Sequence, residues 1–267
     1  MTDTRHPSAS IARAQDGTAL ACQRQGAGHP LILLAGQANN HHWWDGVRAD
    51  FHATHSTITL DQRGTGESDK PQGPYSTRQF ADDVIAVLDH LGIERADVYG
   101  TSMGGRVAQW VAARHPDRVR RLVLGCTSPG GAYAVERDAS VRRALAQADP
   151  EAARRALIDL MYSPAWLADH PGPYTTLGDP DMPPHARHGH LVASNGHDAW
   201  DALPHITAPT LLLHGDEDRL TPPENLPLLA ARIPRTTTHV FPGARHAYFE
   251  ECRTEASALV AAFLDER

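Results

Sequence analysis

Six short apolar runs, each too short for a helix and none alternating with polar residues, constrain the fold of this chain more than any other feature. They are LILLA (31–35), STITL (56–60), ADVYG (96–100), RLVLGC (121–126), TLLLHG (210–215) and THVFP (238–242). Runs of this kind suit strands buried on both faces. Between them lie amphipathic stretches such as STRQFADDVIAVLDHLG, where Phe80, Val84, Val87, Leu88 and Leu91 keep helical spacing and Gly92 fits the stop. Strands alternating with helices give a mostly parallel, twisted sheet with helices on both faces, an α/β architecture. Ahead of this pattern, SASIARAQDGTALACQRQG alternates around Asp16-Gly17 and reads as an antiparallel hairpin over residues 8–24.

The alternation breaks once. From about residue 131 to 204 the chain gives Ala/Arg-rich helical segments, ERDASVRRALAQ and PEAARRALIDLMYSPAWLADH, then a Pro/Gly/His-rich stretch, with no strand signal. A length of 267 residues accommodates one core plus an insertion. Residues 1–130 and 205–267 are therefore expected to form an α/β core, and 131–204 a helical cap inserted before the last two strands.

Composition removes several classes of function. The net charge is −7 and the arginines do not gather into a basic run, so no nucleic-acid partner is expected. Lys70 is the one lysine and sits in an Asp-Lys-Pro turn, which speaks against Schiff-base chemistry. Cys22, Cys126 and Cys252 match no metal or redox spacing and read as reduced residues. No apolar stretch approaches the roughly 18 residues of a membrane span, and MTDTRHPSAS carries no export pattern. A soluble, cytoplasmic protein is expected, with no membrane partner. With neither G-x-G-x-x-G nor a phosphate-binding loop, no nucleotide cofactor is implied.

VYGTSMGGRVAQW (98–110) places Ser102 between two glycines at the junction of the ADVYG strand and a helix. G-x-S-x-G alone is a weak signal; the strand-turn-helix setting makes it specific. A strained turn there lifts the hydroxyl above the sheet, Cβ atoms two residues to either side would meet backbone, and the adjacent helix N-terminus favours negative charge. A serine hydroxyl needs a base, and the base an orienting acid. Of the 17 histidines, His246 in FPGARHAYF follows the last strand and so lies at the same sheet edge as Ser102. The acid comes from Asp216, Glu217 or Asp218 in LLLHGDEDRLTPPEN.

These segments together resemble the α/β-hydrolase family, in its serine-nucleophile branch. LILLAGQ is similar to the oxyanion-loop strand, DQRGTGESDKP to the turn after the next strand, GTSMGG to the nucleophile elbow, HGDEDRLTP to the acid loop and GARHAYFEE to the histidine loop. The resemblance covers residues 29–130 and 205–267 and hardly touches the cap. It implies the α/β-hydrolase fold. By the family's G-x-x-D-x-x-x-P pattern, bracketed here by Gly215 and Pro222, it implies Asp218 as the acid, with Asp216 as runner-up. It also places an oxyanion hole at the backbone N–H groups of Gln37 and Met103. One departure is Ala35-Gly36, where the family usually carries His-Gly. Because the donor is the next residue's backbone, that change alters loop packing more than chemistry.

The resulting expectation is a cofactor-independent serine hydrolase acting on a small ester or lactone. Its nearest likeness is the 3-oxoadipate enol-lactonase and esterase group. Asn39, His41, Trp44, Met161, Trp166 and Leu220 are expected to line the substrate cavity. Rivals on the same scaffold are carbon–carbon bond hydrolysis, whose enzymes carry a glycine-rich oxyanion loop that AGQANNHHWW lacks, and perhydrolysis; a ligand-binding pseudoenzyme is a third. Epoxide hydrolases and haloalkane dehalogenases use aspartate at the elbow, which Ser102 argues against. PPHARHGH brings His185, His188 and His190 together, but no neighbouring carboxylate or cysteine completes a zinc pattern, so no metal is expected.

Overall fold

Each of the six apolar runs forms a strand. The structure is a computed structural model describing residues 8–266; residues 1–7 of the expected core and residue 267 lie outside them. The strands are β1 (Ser8–Arg13), β2 (Ala19–Gly26), β3 (His29–Leu34), β4 (His55–Leu60), β5 (Ala96–Thr101), β6 (Val119–Gly125), β7 (Thr210–Gly215) and β8 (Thr236–Phe241). They make one sheet in the order β1-β2-β4-β3-β5-β6-β7-β8. The β1–β2 and β2–β4 pairs are antiparallel; every pairing from β4 to β8 is parallel.

Successive side chains of a strand point to opposite faces, and here both faces are covered. Leu31 and Leu33 join Tyr99, Val123, Leu211 and Leu213 in one apolar layer. Ile32, Leu34, Ile58, Val98, Leu122 and Leu212 join the other. Helices α1 (Thr77–His90) and α2 (Met103–Arg114) close the second layer, with Phe80, Val84, Val87, Leu88, Val107 and Val111 buried in it. Helix α1 starts where the Ser76 hydroxyl accepts the Gln79 N–H. It stops at Gly92, whose φ of +65° few other residues adopt; Ile93 N–H then caps the Leu88 carbonyl. Burying each such aliphatic side chain contributes about 1.5–3 kcal/mol.

Two expectations are corrected. THVFP was expected to be buried on both faces, yet β8 is the edge strand and Val240 is exposed; only Phe241 is fully buried. The hairpin is not closed by a two-residue turn at Asp16-Gly17. Ala14 N–H donates to the Thr18 carbonyl, so Gln15, Asp16 and Gly17 form a three-residue loop with Gly17 at φ +86°.

Between β6 and β7 the chain forms α3 (Ala139–Leu145), α4 (Pro150–Met161), α5 (Pro164–Asp169) and α6 (Pro184–Asn195). Asp138, Asp149 and Ser163 cap the first three, and proline opens α4, α5 and α6. The Pro/Gly/His-rich stretch thus contains a helix after all, α6. Its Gly189 is required by close packing, because a methyl group there would meet the Tyr75 ring at 2.6 Å. Helices α7 (Asn225–Arg232), α8 (Tyr248–Glu251) and α9 (Arg253–Asp265) complete the core. Among the described residues, no helix is long and apolar enough to cross a membrane.

Candidate active site

Strand β5 ends at Thr101 and helix α2 begins at Met103, so Ser102 alone makes the turn, with φ +55° and ψ −123°. A methyl on Gly100 would lie 2.3 Å from the Gly104 carbonyl oxygen, and one on Gly104 would lie 2.1 Å from that of Leu34. Only glycine fits either position. Ser102 N–H donates to the Gly125 carbonyl at 2.9 Å, and Thr127 Oγ1–H donates to the Ser102 carbonyl at 2.8 Å. These bonds hold a left-handed backbone that costs on the order of 1–3 kcal/mol. Among the described residues, the other non-glycine positive φ values are at Ala38 and Cys126. Both follow strands flanking β5, so the strained positions gather where the central strands end.

His246 lies in the loop between β8 and α8 and is 1% exposed. Its Nδ1 is 2.7 Å from Asp218 Oδ2. The Asp218 Oδ1 accepts the N–H groups of Leu220 and Thr221, both at 2.8 Å. A fourth contact was not anticipated: His214 Nε2 lies 3.3 Å from Asp218 Oδ2 while donating to the Thr221 carbonyl at 2.8 Å. Burial alone would raise the Asp218 carboxyl; the adjacent His246 and His214 more than offset it and hold the group well below the usual carboxylate range. Asp218 is therefore an anion inside the protein. Asp216 and Glu217 are exposed, and Asp216 accepts the Gly243 N–H instead. Spacing gave no means of singling out His214 among the histidines.

The second ring nitrogen of His246, Nε2, is buried and has no protein partner among the described residues. His246 borders the same cavity as Ser102, a space of about 310 Å³ between the core and the inserted helices. Gln37 and Met103 also border that cavity. Neither backbone N–H donates to an acceptor among the described residues. Met103 opens α2, where unsatisfied N–H groups and the helix dipole favour an anion. A groove of about 930 Å³ beside α1 is larger, but it is lined by surface charges such as Arg13, Asp82 and His115, and Ser102 and His246 do not border it.

Of the six residues expected to line the cavity, Asn39, Met161 and Leu220 do so. His41, Trp44 and Trp166 do not. His41 Nδ1 is bound to Asp61 Oδ1 at 2.8 Å and its Nε2 to Gln23 at 3.0 Å. Trp44 is fully buried against Tyr99 and Phe249. A short 3₁₀ turn over His41–Trp44 presents Trp43 to the cavity instead, with Nε1–H donated to Thr101 Oγ1 at 2.9 Å. Trp166 stacks on Tyr162 and His170, with ring centroids 4.4 and 4.0 Å away. Sequence reasoning also missed Arg106, Arg137 and Arg187, all of which border the cavity.

The three clustered histidines diverge. His185 Nε2–H donates to the Lys70 carbonyl, His188 is exposed, and His190 is buried. Nδ1 of His190 accepts the Ala38 N–H at 3.2 Å and its Nε2–H donates to the Arg63 carbonyl at 2.9 Å. Further bonds join the inserted helices to the core: Asp179 N–H to Ala38 O at 2.7 Å, Ala247 N–H to Met161 O at 2.8 Å and Ala199 N–H to Pro129 O at 2.9 Å. Among the described residues, no three His, Cys, Asp or Glu side chains are grouped to hold a metal.

A serine on a strained strand-to-helix turn, in a mostly parallel sheet with helices inserted after β6, defines a class of protein, and the sequence assigns the chain to it directly. The family model described as the alpha/beta hydrolase fold matches residues 29–251, and the chain belongs to this family. It is 33% identical to a 2-hydroxymuconate semialdehyde hydrolase of Pseudomonas putida, over 91% of this chain and 89% of that protein. It is 29% identical to 3-oxoadipate enol-lactonase 2 of Acinetobacter baylyi, over 83% of each. The crystal structure of a hydrolase from Pseudomonas aeruginosa PA01 matches it with a TM-score of 0.84 at 28% identity, covering 97% of this chain and 99% of that one.

Proposed function

We propose that this member of the family is a cofactor-independent serine hydrolase that opens a small carboxylic ester or lactone through an acyl-enzyme. One observation carries the reading: His246 is held through Nδ1 by the buried Asp218 carboxylate, its Nε2 is left unpartnered, and it borders the same cavity as Ser102. Ser102 Oγ attacks the carbonyl carbon and its proton passes to His246 Nε2. Asp218 fixes the tautomer and offsets the imidazolium charge. The N–H groups of Gln37 and Met103 receive the developing oxyanion, each contributing a few kcal/mol. His246 then returns the proton to the leaving oxygen, and a water repeats the sequence to release the acid. The lactone option draws support from the enol-lactonase relative.

Carbon–carbon bond hydrolysis is the second reading, favoured by the relatives named 2-hydroxymuconate semialdehyde hydrolase, which are 33% and 32% identical to this chain. The test is hydrolysis of 4-nitrophenyl acetate by the wild type and by Ser102→Ala. Turnover that disappears in a variant with an unchanged melting temperature supports the proposal. A variant retaining more than a few per cent of the rate removes Ser102 as nucleophile, and a wild type inert toward short esters and lactones passes the assignment to the second reading.

A further inference from the structure

Three arginines, Arg106, Arg137 and Arg187, border the 310 Å³ cavity, and no aspartate or glutamate does. A guanidinium taken out of water ordinarily finds a carboxylate, because an uncompensated buried charge costs several kcal/mol. Arg106 has not done so. Its three side-chain hydrogen bonds go to the Ser194 carbonyl (2.6 Å), Ser194 Oγ (3.0 Å) and Ser128 Oγ (3.0 Å), all neutral oxygens. A guanidinium has five N–H donors, so at least two remain free. Arg137, half-buried, donates no side-chain hydrogen bond and forms no ion pair among the described residues. The carboxylates whose fields reach these two side chains are committed elsewhere. Asp218 holds His246, and Glu136 is an exposed residue 3.9 Å from Arg142. Burial, and then the like charge of Arg137, draws the Arg106 guanidinium down to about 10. Two cations that repel one another across one enclosed space are matched by an anion that the protein itself does not supply.

We propose that Arg106 and Arg137 form a carboxylate subsite, so that the substrate is an ester or lactone bearing its own carboxylate near the scissile carbonyl; this rests on the serine-hydrolase reading above. Arg106 follows Ser102 by four residues, one turn or about 6 Å along the axis of α2, and both residues border the one cavity. A carboxylate held there is separated from the attacked carbonyl by a few bonds, as in the half-esters of short dicarboxylic acids or the lactones of acids of similar length. The free planar N–H groups of Arg106 suit the two oxygens of a carboxylate, and Arg137 adds the second charge. Arg187 is exposed and donates to the Asp179 carbonyl, which places it at the rim of the subsite.

The kinetic test compares monomethyl glutarate with methyl pentanoate, equal in acyl length and different in charge, followed by acid release at constant pH. The wild type is expected to prefer the anionic ester by tenfold or more in kcat/KM, and Arg137→Met to lower that ratio by tenfold or more. Arg137 makes no side-chain bond that folding depends on, so this variant reports on charge; Arg106→Met is the second variant. A wild-type ratio near or below one, or a ratio that neither variant moves, overturns the proposal. A binding measurement separates the subsite from the chemistry: calorimetry with glutarate, glutaramide and inorganic phosphate. Glutarate bound at least tenfold more tightly than glutaramide, and weakened tenfold by Arg137→Met, supports the subsite even if neither ester is turned over, in which case only the hydrolase reading fails. Absence of glutarate binding, equal binding by the variant, or phosphate bound as tightly as glutarate overturns the subsite.

Discussion

Replacing His190 with asparagine is expected to remove a specific part of the protein's acid sensitivity. Both ring nitrogens are committed in the neutral form, with Nδ1 accepting from Ala38 and Nε2–H donating to Arg63. A proton on Nδ1 would set two N–H groups against each other. Burial is the larger influence and pulls the imidazole from 6.5 down to about 4, against the opposing bond to the Arg63 carbonyl. Because the folded value is the lower one, the unfolded chain takes up the proton first as the pH falls. The stability contribution is therefore whole above about pH 6.5, is lost progressively between 6.5 and 4, and changes no further below that. Between pH 7 and pH 5 the loss integrates to about 2 kcal/mol. Urea unfolding at these two pH values measures it directly. Asparagine keeps an acceptor near the Nδ1 position and does not titrate, so the wild type should lose about 2 kcal/mol more than His190→Asn over this interval. His197, likewise buried and held neutral, is present in both proteins and cancels. Equal losses, within about 0.5 kcal/mol, would refute the argument. Ala38 adjoins Gln37, but the folded protein takes up this proton only near pH 4, so loosening of the loop bearing an expected oxyanion donor, and the fall in ester turnover that follows from it, belong near pH 4 and not to the interval in which stability is lost.

Asp218→Asn and His246→Ala should each lower kcat by on the order of 10³-fold or more, whereas Asp216→Asn, which alters a contact with the Gly243 amide, should change it by less than about threefold; steady-state kinetics on a short ester decides. Gln37→Ala leaves the backbone N–H in place and should retain much of the rate. Gln37→Pro deletes the donor and should cost roughly 10²- to 10³-fold, with fluorophosphonate labelling of Ser102 checking that the site is otherwise intact. Gly104→Ala drives a methyl to 2.1 Å from the Leu34 carbonyl and should destabilise by about 3 kcal/mol, lowering the melting temperature by roughly 6–12 °C.

The parallel strands were legible because burial on both faces leaves an unbroken apolar run, and Ser102 because only glycine fits beside such a turn. THVFP shows where that logic stops. A run's composition does not say whether a further strand lies beyond it, and β8 proved to be the edge. Side-chain direction within a single turn was equally illegible. Trp43 and Trp44 are neighbours of one chemistry, and only the 3₁₀ geometry sends the first to the cavity and the second into the core. Arg106 was not legible as a cavity residue, since its buried setting is created by Ser128 and by Ser194, 88 positions further along the chain. Helix α6 was obscured by prolines and glycine that, read singly, signal breaks; proline at a first turn opens a helix, and Gly189 yields room to Tyr75.

The seams between the inserted helices and the core have a consequence for how such a chain diversifies. Asp179 to Ala38, Ala247 to Met161 and Ala199 to Pro129 are all joined main chain to main chain. A bond of this kind is indifferent to the side chains at either end, provided the donor residue is not proline. At these points the region that shapes the cavity can change its side chains and remain docked, whereas His185, His190 and Asp179 also hold it through their side chains, and the histidine loop keeps its anchorage at Met161 throughout. A foreign segment spliced in between Gly130 and Leu203 along the same backbone path would meet the same donors and acceptors, making the junction a natural place to build chimeras with altered selectivity.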